Sequence, residues 1–417
     1  MIRLHTLTTQ ISVLISFYQD LDFLEVVIER VAWADEILIL DGPFEFAIPT
    51  FSLFQDEGLH GPARATQDCI ARLRARYGEK ISYCFSVYAN EHSKRVRGYD
   101  LCKHNLVLLV DADELIDVDL PQLQRFVDSD AGAGYWRCIN IALNGFATAK
   151  KKHIDANPTG GYPWGGKFFA FKKTHIDAVR HLDYLWLVGV NQGQKDARLI
   201  YRTPVGIGYH LTGLRGSKGQ VTKFAFYTAL SAHSTGRPLN IAKSCQHYLS
   251  EGVISKEQVG EIFARSLKPC LGLPAGSALL PPELPVESLN PVFRNIVQEF
   301  SRPFVTHFTS RVLPGVPCLM LVERNVTDLC FEVDCPCNYR VTSEILRLGR
   351  PVGTELAKWE GDFDTARPRN VEIDLSPVEN QEDIGHIVDF TIWLKRDPKQ
   401  GTVSPRGLPT FFMRATK

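Results

Sequence analysis

Between residues 11 and 110 the chain changes its apolar period every few residues, and that alternation constrains the fold more than any other feature. Ile11 to Phe17 is a largely apolar run of strand length and reads as a buried strand. Asp22 to Trp33 then places Phe23, Val26, Val27, Ile28 and Val31 at helical spacing. Glu36 to Leu40 is apolar again and stops at Asp41-Gly42-Pro43. Gly61-Pro62 opens a second helical segment through Tyr77, with Ile70, Leu73 and Tyr77 on one face. Ile81 to Tyr88 reads as a third strand, Glu91 to Lys103 as a charged helix, and Leu106 to Val110 as the most apolar strand of all. Strands without polar alternation are covered on both faces, and strands separated by helices pair in parallel. The expected class is therefore α/β, a mixed and mostly parallel sheet with helices on both faces. Such sheets bind ligands outside the carboxyl ends of their strands. Asp41 and Asp111 to Glu114 fall on that edge.

The later chain is less regular. Tyr135 to Leu143 and Lys167 to Lys172 read as strands on either side of a glycine-rich loop, PTGGYPWGG, at 158–166. Ile207 to Leu211 reads as a further strand, Gln220 to Ala232 as a helix, and 236–265 as helical. Residues 269–291 are rich in Pro, Gly and Ser and read as a linker. From about residue 303, short strands separated by turns (Cys318 to Val322, Asp328 to Val333, Arg340 to Leu348, Asn370 to Asp374, Asp389 to Leu394) predict a β-sandwich-like domain. A chain of 417 residues exceeds one compact core. The expected division is an α/β domain at 1–235, a helical connector and Pro-rich linker at 236–300, and a β-rich accessory domain at 301–417.

Lys plus Arg and Asp plus Glu number 47 each, so no global basic field points to nucleic acid or anionic lipid. No segment approaches the roughly 20 apolar residues of a membrane-spanning helix. The apolar run at Ile11 to Tyr18 contains two serines and is followed by Gln19-Asp20, so it does not read as an export signal. The 10 cysteines are scattered, several within apolar patterns, and a chain this long does not need disulfides. A cytoplasmic location is the expectation. Cys330, Cys335 and Cys337 cluster without a nearby His to complete a zinc site.

Asp-x-Asp occurs five times: Asp20/Asp22, Asp111/Asp113, Asp117/Asp119, Asp128/Asp130 and Asp362/Asp364. Four copies sit in polar surroundings, where solvated helix starts and turns explain them. Only Asp111-Ala112-Asp113-Glu114 follows a run like LVLLV. Carboxylates crowded at the end of a buried strand repel one another and are costly to desolvate. A divalent cation would offset that, and oxygen ligands suit Mg²⁺ or Mn²⁺.

The order of strand, helix, strand ending in Asp, Lys/Arg-bearing helix, then VLLVDADE, resembles the GT-A fold of family 2 glycosyltransferases over roughly residues 9–232. Within that family it is most similar to enzymes carrying Asp-Ala-Asp-Glu, such as lipopolysaccharide-core glucosyltransferases. The resemblance implies an inverting, metal-dependent, hexosyltransferase-like enzyme that moves a sugar from a nucleoside-diphosphate sugar to a hydroxyl acceptor. It implies that Asp111 and Asp113 straddle Mn²⁺ or Mg²⁺, with His210 of VGIGYHLTGLR reaching the same ion, which then stabilises the departing diphosphate. It implies that Asp41 contacts the nucleoside and that Lys94 and Arg95 face the nucleotide. Here the second strand continues as DGPFEFAIP, where the family commonly has Ser/Thr-Asp. Arg215 and Lys218 lie in GLRGSKG, a loop able to close over phosphates or to form an exposed turn. The family's Glu-Asp pair for the base is missing. Asp183, in HLD, and Asp177 are the candidates to take the acceptor's proton, and Trp164 is a candidate to stack on a sugar.

Two other readings stay open. A nucleotidyltransferase uses a similar sheet, but its phosphate loop after the first strand is glycine-rich, and here that position reads SFYQDLDF. A non-catalytic sugar- or partner-binding protein on a degenerate transferase fold is the third. The acceptor class (glycan, lipid-linked glycan, protein, small molecule or modified DNA base) is open, as is self-association through the C-terminal domain.

Overall fold

The computed structural model describes residues 9–141, 147–150, 168–175, 201, 203–211, 214–215, 217–237, 240–266, 277–279 and eight strands between 307 and 416. The α/β part begins with β1 (Ile11–Ser16), α1 (Leu24–Val31) and β2 (Glu36–Asp41). After these come α2 (Ile48–Phe51), α3 (Arg64–Tyr77), β3 (Ile81–Phe85), α4 (Glu91–Leu101) and β4 (Leu106–Asp111). Each matches a predicted element to within a few residues, apart from the short α2. The chain continues with β5 (Glu114–Val118), α5 (Leu120–Asp128), β6 (Ala133–Tyr135), β7 (Arg137–Ile141), β8 (Ala147–Lys150), β9 (Phe168–Lys172) and β10 (Gly206–His210). Helices α6 (Ser217–Thr235), α7 (Asn240–Ser250) and α8 (Lys256–Ser266) follow.

The main sheet has the order β3-β2-β1-β4-β9-β6. β1, β2, β3 and β4 are mutually parallel, and β9 alone runs against its neighbours β4 and β6. Its core is the side chains the period predicted: Val13, Ile15, Val27, Ile28, Val31, Ile37, Ile39, Ile70, Leu73, Leu108 and Val110 are all buried. α4 inverts the usual rule, burying Lys94 and Arg95 together with Gly98 and Tyr99. An Asn90–Ser93 capping box starts it. Gly98 is required by close approach, because a Cβ there would lie 2.3 Å from Leu40 Cδ1 and 2.5 Å from Leu14 Cδ1.

A second sheet has the order β11 (Ser277–Leu279), β8, β7, β10, β5, and its β5 begins just after β4 ends. The strand expected from Tyr135 to Leu143 divides at the buried Trp136 between the two sheets. β11 pairs with β8, so the segment expected as a linker contributes a strand. The expected helical segment forms α7 and α8, which share a core with α2 and α6 through Phe51, Ala225, Cys245, Val259 and Phe263.

β12 (His307–Arg311), β13 (Pro317–Glu323), β14 (Asp328–Val333), β15 (Tyr339–Arg347), β16 (Glu355–Phe363), β17 (Val371–Asp374), β18 (Gly385–Leu394) and β19 (Thr410–Thr416) form two four-stranded sheets, β12-β19-β14-β17 and β13-β18-β15-β16. Their pairings are antiparallel. Sequence patterning missed β12, β16 and β19. Among the described residues no helix is long and apolar enough to cross a membrane.

Candidate active site

Register places the site. Ser16 pairs with Leu40 on one side and with Asp111 on the other, so β1, β2 and β4 end level. The strand order reverses direction between β1 and β4, which makes their carboxyl ends the switch point where such sheets open a crevice. Asp111 to Glu114 emerge there. β5 then turns back and pairs with β10 so that His210 lies opposite Glu114. This antiparallel pair brings a histidine almost a hundred residues downstream onto the Asp-x-Asp segment.

Asp113 is the hub. Its Oδ2 lies 3.0 Å from His210 Nε2 and 2.8 Å from a terminal nitrogen of Arg215. Burial works to raise the Asp113 pKa, but Arg215 and His210 override it and hold the carboxyl well below the ordinary range. Arg215 is buried, and its Nε donates to Asp20 Oδ2 at 2.7 Å. Asp111 is more open; its Oδ1 lies 3.5 Å from Arg95, whose guanidinium also pairs with Glu91. Glu114 is fully buried and accepts from the Asp111 backbone N–H at 3.3 Å. Burial, reinforced by the Asp113 charge, pushes its pKa up to about 8.

Asp41 closes β2 and is 1% exposed. Its Oδ2 accepts from Tyr83 Oη at 2.6 Å, while Oδ1 has no hydrogen-bond partner among the described residues. Burial raises its pKa, against the pull of Tyr83 and Lys94. Gly42 follows at φ +127°, where a Cβ would sit 1.7 Å from the Ser86 carbonyl oxygen. Lys94 donates from Nζ to the carbonyls of Phe17 and Gly42 at 2.6 and 2.9 Å, with the rings of Tyr88 and Phe44 beside it. It therefore ties the ends of β1 and β2 together from the interior and is not displayed on a solvated helix face.

The structure thus brings Asp111, Asp113, His210, Arg95 and Arg215 together, with Asp41 and Lys94 on the same edge. Lys218 lies in the first turn of α6, its side chain outside the described residues. Asp177, Asp183 and Trp164 also lie outside them. Of the four Asp-x-Asp copies read as solvated, Asp117 bonds Arg30, Asp119 caps α5, and Asp128 bonds Gln124. Asp20 is the correction, since it is buried against Arg215. Lys223, in the second turn of α6, is a further cation whose field reaches Asp113, Asp20 and Glu114. Sequence reasoning overlooked it because nothing local ties α6 to the strand ends.

The donor set suits a hard divalent ion in part. Among the described residues no three His, Cys, Asp or Glu side chains converge closely enough to hold a metal unaided. Mg²⁺ and Mn²⁺ do not require that, because one or two carboxylates with water and phosphate oxygens suffice. The 3.0 Å between His210 Nε2 and Asp113 Oδ2 is also about the spacing of adjacent ligands on an octahedral ion with bonds of about 2.1 Å. His210 and Asp113 have that spacing, and Asp111 does not join them in a three-ligand group among the described residues.

No family model and no curated protein matches the chain. Solved structures similar to it include GalNAc-T7 with UDP, GalNAc and Mn²⁺, at a TM-score of 0.34 and 12% identity, over 49% of this chain and 43% of that one. Staphylococcus (S.) aureus TarS 1–349 overlaps at 0.31 and 12%, over 64% and 81%, and the longer TarS at 0.30 and 9%, over 98% and 86%. This chain spans less than half the length of that GalNAc-T7 structure. Overlaps this loose carry nothing about activity, and the chemistry has to be read from the site itself.

Proposed function

We propose that this chain is a metal-dependent, inverting glycosyltransferase that moves a sugar from a nucleoside-diphosphate sugar to a hydroxyl acceptor. The observation that carries the reading is the meeting of His210 with Asp113 at the switch point of a mostly parallel sheet. Asp113, His210 and Asp111 are the residues to hold Mn²⁺ or Mg²⁺. When bound, that ion supplies Lewis-acid stabilisation of the departing nucleoside diphosphate. Arg95 lies against Asp111, and Arg215 with His210 holds the Asp113 carboxyl well below its ordinary range. Asp41, fixed through Oδ2 by Tyr83, keeps Oδ1 as a buried acceptor for an N–H donor of the nucleoside. Lys218 is assigned to the donor's phosphates, Asp183 or Asp177 to the acceptor's proton, and Trp164 to the sugar. The β-rich region after residue 300 is assigned to acceptor binding or self-association. The free thiols of Cys69, Cys84, Cys102 and Cys245 suit a reducing, cytoplasmic setting.

The test is donor hydrolysis across a panel of nucleoside-diphosphate sugars, with Mn²⁺ and with chelator. One donor should be hydrolysed, only with metal, and Asp113→Asn should lower that rate by about 100-fold or more, as loss of several kcal/mol of charge stabilisation requires. Hydrolysis indifferent to both chelator and Asp113→Asn overturns the proposal. Nucleotide binding without metal dependence or turnover would favour the non-catalytic reading.

A further inference from the structure

Gly219, Lys223 and Tyr227 follow one another at four-residue spacing along α6. Residues so spaced share one helix face, and their side chains lean toward the helix N-terminus. Contact fixes where the first of them lies. A Cβ on Gly219 would come within 2.4 Å of Asp22 Oδ2 and 3.3 Å of Asp20 Oδ1, so this face of α6 lies against the turn after β1. One turn further on, the Lys223 charge is felt by Asp20, Asp113 and Glu114. Lys223 nevertheless closes on none of them. Among the described residues its ammonium makes no hydrogen bond or ion pair, and its neighbour is the ring of Tyr227, 5.5 Å from Nζ to the centroid. Tyr227 is 39% exposed, the one large apolar side chain among the described residues that is this open. It packs on Phe226 at 5.4 Å between ring centroids, and Phe226 packs on Phe44 at 5.7 Å. Phe44 stands three residues after Asp41, whose buried Oδ1 has no partner among the described residues. A band of rings thus runs from the end of β2 to the Lys223 ammonium.

We propose that Lys223 binds the diphosphate of the nucleotide whose nucleoside lies at Asp41, with the Tyr227 ring flanking the ammonium. The inference rests on the nucleotide-sugar reading above. The other cations of this edge are committed elsewhere: Arg95 and Arg215 to carboxylates, and Lys94 to two backbone carbonyls. Lys223 is half-buried on a flexible stem, and an ammonium is a compact point charge with three donors that suits phosphate oxygens. Partial burial strengthens that attraction relative to a fully solvated lysine. The ring band gives the anion its address, because it joins Lys223 to the same strand end that offers Asp41 to the nucleoside.

The experiment is isothermal titration of the full chain, with Mn²⁺ present, by UDP, GDP, CDP and ADP, and then by the nucleoside of whichever diphosphate binds. Lys223→Met should weaken the diphosphate by roughly 10- to 100-fold, the range for loss of a hydrogen bond to a charged group. Its affinity for the nucleoside should stay within about twofold of wild type, because the nucleoside lacks the anion that lysine holds. Lys223→Arg keeps the charge and should bind the diphosphate within a few-fold of wild type. Lys223→Gln makes the same comparison if the methionine variant folds poorly. Diphosphate affinity unchanged in Lys223→Met or Lys223→Gln overturns the inference and leaves the glycosyltransferase reading standing. Equal weakening of diphosphate and nucleoside also overturns it, because the lysine then only supports the fold of the site. A wild-type chain that binds none of the four diphosphates would sink the nucleotide-sugar reading itself, and this inference with it.

Discussion

Replacing Lys94 by methionine probes the interior of the site through its pH dependence. The ammonium is 2% exposed, and burial pulls its pKa from 10.5 down to about 8, against the opposing pull of Asp41 and Glu91. In the unfolded chain the same group titrates at about 10.4. The folded state therefore holds the proton less well than the unfolded state. The resulting penalty is fully present below pH 8 and lifts as the pH rises through the window from about 8 to about 10.4. At about 1.36 kcal/mol per pH unit, it amounts to about 3 kcal/mol. Methionine keeps the aliphatic bulk and abolishes the titration. It also leaves the Phe17 and Gly42 carbonyls without this donor, at about 1–3 kcal/mol each. Near pH 7 the relieved penalty and the lost bonds partly cancel. Near pH 10.4 wild type has shed its penalty while the neutral amine still donates to both carbonyls, so the variant is then the weaker by about 2–6 kcal/mol. Glu114 does not blur the window, because the cost of ionising it grows from about pH 4.5 to 8 and is constant above. Buried thiols and tyrosines are common to both proteins and cancel in the difference. The assay is urea unfolding of both proteins at intervals from pH 7 to 10.4. The stability gap should widen by about 3 kcal/mol across the upper window. Parallel profiles would refute the buried-ammonium argument.

Two further perturbations test separate features of the same edge. Gly42→Ala should cost more than about 3 kcal/mol, read as a lowered unfolding midpoint, because φ +127° and a Cβ placed 1.7 Å from the Ser86 backbone both oppose it; a loss under 1 kcal/mol would contradict the tight crossing. Tyr83→Phe removes the 2.6 Å bond to Asp41 and should raise the KM for the donor several-fold, with Mn²⁺ affinity unchanged, whereas an unchanged KM would detach Asp41 from donor binding.

The α/β domain was legible because its strands are long apolar runs, its helices carry a clean stripe, and both periods are local properties of the chain. Leu106 to Val110 followed by Asp111-Ala112-Asp113 picked out the strand end on which the candidate site is built, since carboxylates directly after a buried strand need an explanation that solvated ones do not. The β-rich region was read less fully. β12, β16 and β19 read HFTSR, ELAKWEGDF and TFFMRAT, with too many polar and charged residues to stand out as apolar runs. The division of one predicted strand at Trp136 was hidden because no local signal marks which sheet the residues on each side join.

By itself, then, the sequence determined the alternation, the sheet edge, and the one Asp-x-Asp copy that lies at a buried strand end. Only the tertiary structure decided which charges meet there. Asp20 looked like any polar turn residue until the left-handed step at Gln19 carried it inward to Arg215. His210 reached Asp113 only through the antiparallel pairing of β10 with β5. Lys94 stood in a segment read as a charged helix and became the cation that ties two strand ends. The physical reason is the same in each case. Periodicity and propensity act over a few residues and show in any local window, whereas the partner of a buried charge is chosen by register and crossover, which join segments far apart in the chain.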